Sequence, residues 1–459
     1  MGAIDAMSDR AADTRQAPRR WRAPGSHTLV ALIATLGLAG CVGDLLDVRD
    51  PDIVPPDDLT GEAGLATLRA GALGDFARAL GGSAAGHGGT PALIHYSDVF
   101  TDAFTYSGTF PTRREPDQRS IQERNGSMLT VYTGLHRARA AAANTAATIE
   151  AAGASGDFRL SEMQSVVAFT FILFGEHYCA GVPFSTAAPG GELIFGQPLT
   201  TAQMFDSAVV WADRALASAG SAAPQASLAA VAKGRALLNL ARFPEAATAV
   251  TAVPADFTYL AEFSANTRQE EIGLYLLTRV DRQFSVSDGE GGGLLYRSAN
   301  DPRVPWTQIP GELGQDGVTP FYRQMKYDAP DAPVVFASGI EARLIEAEAA
   351  LQANDLTTFG NIHTALRATV LLGAVDPTAM TATEREDFHF QERAFWLWLT
   401  AHRFGDLRRL ARQYGRPVES VFPSGPYFKG GTFGVDVNFP IPIEEQNNPN
   451  FTGCIDRNP

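Results

Sequence analysis

LAAVAKGRALLNLARFPEAATAVTAVP, residues 228–254, is the stretch that decides the fold class. It reads as two short helices joined by Arg242-Phe243-Pro244, since apolar residues recur at helical spacing on either side of that break. Gly234 and Ala246 stand twelve residues apart, one on each helix. Small residues at that separation let two paired helices cross closely.

A second segment has the same layout. In EARLIEAEAALQANDLTTFGNIHTALRA, residues 341–368, Leu344, Ala347 and Leu351 share one face. Asn354-Asp355 breaks the run before another helix. Both segments follow the plan of a tetratricopeptide helix pair. Further helical stretches lie before them. Met128, Val131, Leu135, Ala138 and Ala142 form one stripe, residues 161–178 make a more deeply apolar helix, and Thr200 or Thr201 caps a helix carrying Met204, Ala208, Trp211 and Ala215. The expected fold is mainly α, a tetratricopeptide-like helix-pair scaffold of solenoid or superhelical form with long irregular loops and minor β structure.

Periodicity fails in two places, at about residues 91–125 and 265–335. The second contains VSDGEGGGLLYRSANDPRVPWTQIPGELGQDGVTPFYRQMKYDAPDAP, rich in Gly, Pro and Asp yet carrying Tyr296, Trp306, Phe321, Tyr322 and Tyr327. Its length exceeds an ordinary connection, and its aromatics argue against disorder. The first, HYSDVFTDAFTYSGTFPTRREPD, offers Tyr96, Phe100, Phe104, Tyr106 and Phe110.

The amino terminus supplies an address. Arg15, Arg19, Arg20 and Arg22 precede an uncharged run from Leu29 to Ala39, too short to span a bilayer. Leu38-Ala39-Gly40-Cys41 follows and resembles a bacterial lipobox, in which the thiol is acylated and the preceding bond cut. Residues 1–40 are therefore expected to be a lipoprotein signal peptide, and residues 41–459 a single domain anchored to a membrane only through lipid on Cys41. Val42 after the cysteine resembles the outer-membrane sorting pattern. A buried helix with an incidental cysteine is the competing reading.

Removing the leader takes away five of 37 basic and three of 51 acidic residues, leaving a net charge of about −16. Such a chain repels phosphate backbones, so nucleic acid is excluded as a partner. Of three cysteines, Cys179 and Cys454 remain, as one disulfide or as two unrelated thiols. No zinc helix, phosphate-binding loop, Cys-x-x-Cys pair or nucleophile elbow occurs, and the histidines lack ligand spacing, so neither cofactor nor metal is expected. Glu176 beside His177 reads as a satisfied helix end. The arginines 403, 408, 409, 412 and 416 read as cations complementing a helix C-terminus, and Arg403 and Asp406, three apart, as a pair on one helical face.

Several segments together resemble the SusD/RagB family of outer-membrane nutrient-binding lipoproteins. They are CVGDLLDVRDPDIV from Cys41, SANDPRVPW followed by MKYDAP and EARLIEAEAAL, the helix ERAFWLWLTAHRFGDLRRL, and NFPIPIEEQNNPNF near the end, which reads as an extended latch. The resemblance implies a non-enzymatic protein on the outside of the outer membrane. It would capture oligosaccharides or peptides and hand them to a TonB-dependent, SusC-like β-barrel. It also implies that the irregular regions meet on one ligand face. Stacking on sugar or peptide faces needs exposed aromatics with polar neighbours. Asp102, Phe104 and Tyr106 from one region and Tyr296, Arg303 and Trp306 from the other are the expected contacts. A tetratricopeptide scaffold lipoprotein for envelope assembly and a secreted hydrolase are the alternatives.

Overall fold

The computed structural model describes residues 61–153, 156–187 and 191–459; the expected leader and Cys41 lie outside them. In chain order the helices are α1 (Gly61–Gly81), α2 (Leu93–Phe100), α3 (Pro111–Asp117), α4 (Gly126–Ala151), α5 (Phe158–His177), α6 (Thr201–Ser218), α7 (Ala223–Asn239), α8 (Phe243–Val250), α9 (Gly273–Tyr275), α10 (Gly339–Gln352), α11 (Leu356–Ala368), α12 (Ala382–Trp396), α13 (Arg403–Tyr414) and α14 (Val418–Val421). The strands are short: β1 (Phe104–Tyr106), β2 (Val182–Pro183), β3 (Thr186–Ala187), β4 (Leu193–Ile194), β5 (Pro198–Leu199), β6 (Thr258–Ala261), β7 (Phe284–Val286), β8 (Trp306–Thr307), β9 (Arg323–Gln324) and β10 (Val334–Ser338). Among the described residues they pair only in two-stranded ladders. The protein is mainly α.

Local chemistry explains the helix starts. Asn125 Oδ1 accepts the N–H groups of Ser127 and Met128 to open α4, and Thr200 with Gln203 forms a capping box on α6. The crossing read from residues 228–254 is present. A Cβ built on Gly234 would lie 2.4 Å from Val250 Cγ1 and 3.4 Å from the Ala246 carbonyl, so only glycine lets α7 approach α8 this closely. Helices pack in succession from α4 through α8, and α10 then stacks on α8 and carries α11. The two pairs read from the sequence are thus neighbours, separated by an 88-residue excursion between Val250 and Gly339.

At the centre, α5 is buried on every side. Its polar residues are answered individually: Ser161 donates to the Ala215 carbonyl, and the Glu162 carboxylate accepts Arg69 and Tyr259. Glu176 accepts Arg235 at 2.8 and 2.5 Å and Asn239 at 2.8 Å. Buried polar groups paired this way fix one packing arrangement rather than penalise it.

Four expectations change. The region 91–125 is not irregular throughout, because its apolar and aromatic residues form the wholly buried α2 along with β1 and α3. The helix over 392–410 is broken: α12 ends at Trp396, and Leu399 and Ala401 adopt positive φ of 54° and 60° before α13 begins. Carbonyls freed in that turn accept Lys326 Nζ at Trp398 (2.5 Å) and the Tyr327 hydroxyl at Leu399 (2.7 Å), which offsets the strain. Arg403 pairs not with Asp406 but with Asp102, because α13 starts at Arg403 and points it across the core; Asp406 instead accepts Arg393 and Arg409.

The basic group of α13 therefore does not decorate its own C-terminus. Arg408 donates to the carbonyls of Gly175 and Tyr178 at the end of α5, while Arg412 and Gln413 donate to Asn239, where α7 ends. Beyond α14 the expected latch is extended only in its first part, where Phe439 exchanges hydrogen bonds with His177 and Cys179; Ile443–Asn447 instead coils into a 3-10 helix. Cys179 and Cys454 are joined in a disulfide.

Candidate ligand-binding site

The irregular regions do come together. β1 pairs antiparallel with β7, Phe104 opposite Val286 and Tyr106 opposite Phe284. Beyond that ladder the Asp316 N–H donates to the Ser107 carbonyl, and Gln315 Oε1 accepts the Thr109 N–H at 3.2 Å. Gly314 sits so close to Ser107 that a Cβ there would come within 2.4 Å of the Ser107 Cβ. A third loop, residues 425–433, joins them through Lys429, whose ammonium donates to the Gly108 carbonyl at 3.1 Å and pairs with Asp316 at 2.8 Å.

Between these loops opens a cleft of 720 Å³, walled by Gly108 to Pro111, Arg114, Asp316, Val318 to Pro320, Phe428 and Lys429. Phe428 is 40% exposed. Phe110 is half-buried, with the Arg113 guanidinium 4.4 Å from its ring centroid. Burial opposes charge on Asp316, but Lys429, the Thr319 hydroxyl and the loop N–H groups hold its carboxyl down at about 2. Beneath the cleft, Asp117 accepts the Tyr106 N–H at 3.0 Å and the Tyr427 hydroxyl at 2.6 Å. Burial pushes its carboxyl up to about 7, only partly offset by those hydrogen bonds. Apolar rings thus stand beside fixed polar groups, on loops tied together by the Ser107–Asp316, Thr109–Gln315 and Gly108–Lys429 hydrogen bonds.

None of the six expected contacts lines the cleft, and five of them are buried. Phe104, Tyr106 and Tyr296 are core residues, Tyr106 fully buried with its hydroxyl accepting the Phe110 N–H. Asp102 is bound by Arg403, the Leu294 N–H and Tyr296. The Arg303 side chain, 3% exposed, is held by Asp301 and Glu392. Their polar groups are already partnered and their rings covered, so none presents a face to a ligand; the expectation is corrected for all five. Trp306 alone stays half-exposed, its ring 5.9 Å from that of Tyr322, but it does not line the cleft. Tyr106 nonetheless supports the site from below, with Lys429 Nζ 5.2 Å from its ring centroid.

Phe428 and Lys429 were missed. Their segment, PSGPYFKGGTFG, has the same mixture of Gly, Pro and aromatics that marks the other two regions, and that composition was the available signal. Among the described residues no cluster of His, Cys, Asp and Glu is arranged to hold a metal.

The fold has spatial counterparts among solved structures. A SusD superfamily protein from Bacteroides vulgatus superposes with a TM-score of 0.60 at 14% identity, covering 86% of this chain and 99% of its own. One from Parabacteroides distasonis gives 0.62 at 13% identity, covering 85% and 98%. The chain adopts the SusD/RagB fold. A SusD/RagB family protein from Bacteroides thetaiotaomicron agrees, at 0.59 and 13% identity over 83% of this chain and 94% of that one. A further SusD-like protein from Bacteroides vulgatus, described as carbohydrate binding, gives 0.56 at 13% identity over 75% and 82%. No family model and no curated protein matches the chain by sequence. The SusD-like likeness therefore rests on spatial arrangement. No helix among the described residues is long and apolar enough to cross a membrane.

Proposed function

We propose that this protein is a cell-surface lipoprotein, anchored through Cys41 and built from one SusD-like domain over residues 41–459. It captures an oligosaccharide or peptide in the Phe110/Phe428 cleft and passes it to a TonB-dependent, SusC-like outer-membrane barrel without chemical change. The observation that carries this reading is the cleft itself, where three loops converge on exposed aromatic surface beside a fixed Lys429–Asp316 pair. A SusD-like neighbour described as carbohydrate binding favours the sugar.

Calorimetric titration with a panel of oligosaccharides and short peptides tests it. Phe428→Ala should weaken the best ligand by about tenfold or more, with no change in melting temperature. Unaltered affinity would remove the cleft from consideration. Copurification in detergent with a large β-barrel supports transfer, and copurification with soluble periplasmic proteins alone would favour a scaffold instead.

A further inference from the structure

We propose that the ligand is an acidic oligosaccharide, and that a sugar carboxylate binds Arg114 at the rim of the cleft. The inference rests on the capture reading above and names the substrate class of the same site.

The charges around the cleft carry it. Each carboxylate near the walls already has a partner. Asp316 is paired with Lys429, and Glu312 with Arg323. Glu115 accepts the Asn125 side chain at 2.7 Å and the Gln122 N–H at 3.0 Å. Asp117 is buried beneath Tyr106 and Tyr427. The neighbouring cation, Arg113, is also committed, to the carbonyls of Gly88 and Gly89 and to Gln283 Oε1.

Arg114 differs from all of these. It is exposed at the cleft, and among the described residues no carboxylate reaches its guanidinium. Arg124, Arg137 and Arg214 are also exposed with no carboxylate on their guanidinium groups among the described residues, but of these four arginines it is Arg114 that stands on the wall of this cleft. A guanidinium binds a carboxylate with two parallel hydrogen bonds, and a cation left open beside apolar rings selects an anion that also offers an apolar face. A uronic acid residue does so, because its ring C–H groups lie against Phe428 while its carboxylate reaches the rim. Thr109 and Thr319, both on the walls, give their protons to Gln315 and Asp316, so their hydroxyl oxygens serve the sugar as acceptors.

The test compares galacturonic acid trimers with neutral galactose trimers by calorimetry, using wild type, Arg114→Gln and Phe428→Ala. The acidic trimer should bind wild type about 10- to 100-fold more tightly than the neutral one, and raising the salt should weaken only the acidic ligand. Arg114→Gln should abolish that preference while leaving the melting temperature unchanged. Equal affinity for the two trimers, or a preference that survives Arg114→Gln, overturns the inference. If Phe428→Ala still weakens binding in that case, the cleft stands and only the charge argument falls. If Phe428→Ala leaves binding intact, or the acidic trimer does not bind at millimolar concentration, the inference falls as well.

Discussion

Arg403 holds Asp102 across 301 residues of sequence with two parallel hydrogen bonds, Nε to Oδ1 at 2.8 Å and Nη2 to Oδ2 at 2.7 Å. Burial works against the Asp102 charge, but the guanidinium, the Leu294 N–H and the Tyr296 hydroxyl more than compensate and keep the carboxyl below its ordinary range. The pair joins α13 to the segment just before β1, which underlies the cleft. Asp102→Asn would leave a buried guanidinium without its counter-charge and should cost ~3–5 kcal/mol, read from urea unfolding. A stable variant with lost ligand affinity would instead return Asp102 to the binding surface.

Asp117 predicts a pH dependence of stability with an unusual sign. Its carboxyl titrates at about 7 when folded against 3.8 ordinarily, so between those values the folded chain keeps a proton that the unfolded chain has released. Stability contributed by Asp117 is therefore present in acid and lost as pH rises from about 4 to about 7. Asp98, pushed by burial to about 8, acts in the same direction and extends the window upward. Asp117→Asn should flatten the melting temperature against pH relative to wild type. A steeper slope in the variant would mean that Asp117 is charged in the fold.

Joining residues 275 apart, the Cys179–Cys454 disulfide limits the unfolded chain and fastens the C-terminal strap beside the end of α5. Cys454→Ser should cost ~2–5 kcal/mol, with amide exchange rising first at Phe439 and Cys179. Protection unchanged at those two amides would show that the strap holds without the bond.

Gly234 sets how closely α7 approaches α8. Gly234→Val would drive new methyls into Val250 and Ile345 and should destabilise by ~1–3 kcal/mol, seen as a lower urea midpoint with an unaltered slope.

Much of the scaffold was legible because helical spacing is a local signal. The Gly234/Ala246 crossing, the Asn354-Asp355 break and the Thr200 cap all stand where the residues put them. The site was less legible, and for a physical reason. Aromatics in an aperiodic segment are as useful for packing under a loop as for stacking on a ligand, and burial separates the two uses only in three dimensions. Tyr106 and Phe428 look alike in sequence, yet one is fully buried and the other is 40% exposed. The partner of Arg403 was beyond reach because Asp102 is no helical neighbour of it. The break at Leu399 and Ala401 was hidden because non-glycine residues occupy the left-handed positions there.

Arg408, Arg412 and Gln413 have a consequence for the order in which the protein is assembled. Helix α5 ends at Tyr178 without a left-handed cap and takes donors for its last carbonyls from α13, whereas α7 closes its own last turn through the Ala241 and Arg242 N–H groups, Ala241 at a φ of 58°, and takes from α13 the donors for Asn239. Those donors leave the ribosome more than 150 residues after the helix ends they complete. Until they arrive, the Gly175 carbonyl at the end of α5 and the Asn239 carbonyl at the end of α7 have only water to satisfy them. The scaffold is therefore laid down from its amino-terminal side but finished from its carboxy-terminal side, and a chain stopped before α13 would begin to unwind at its middle.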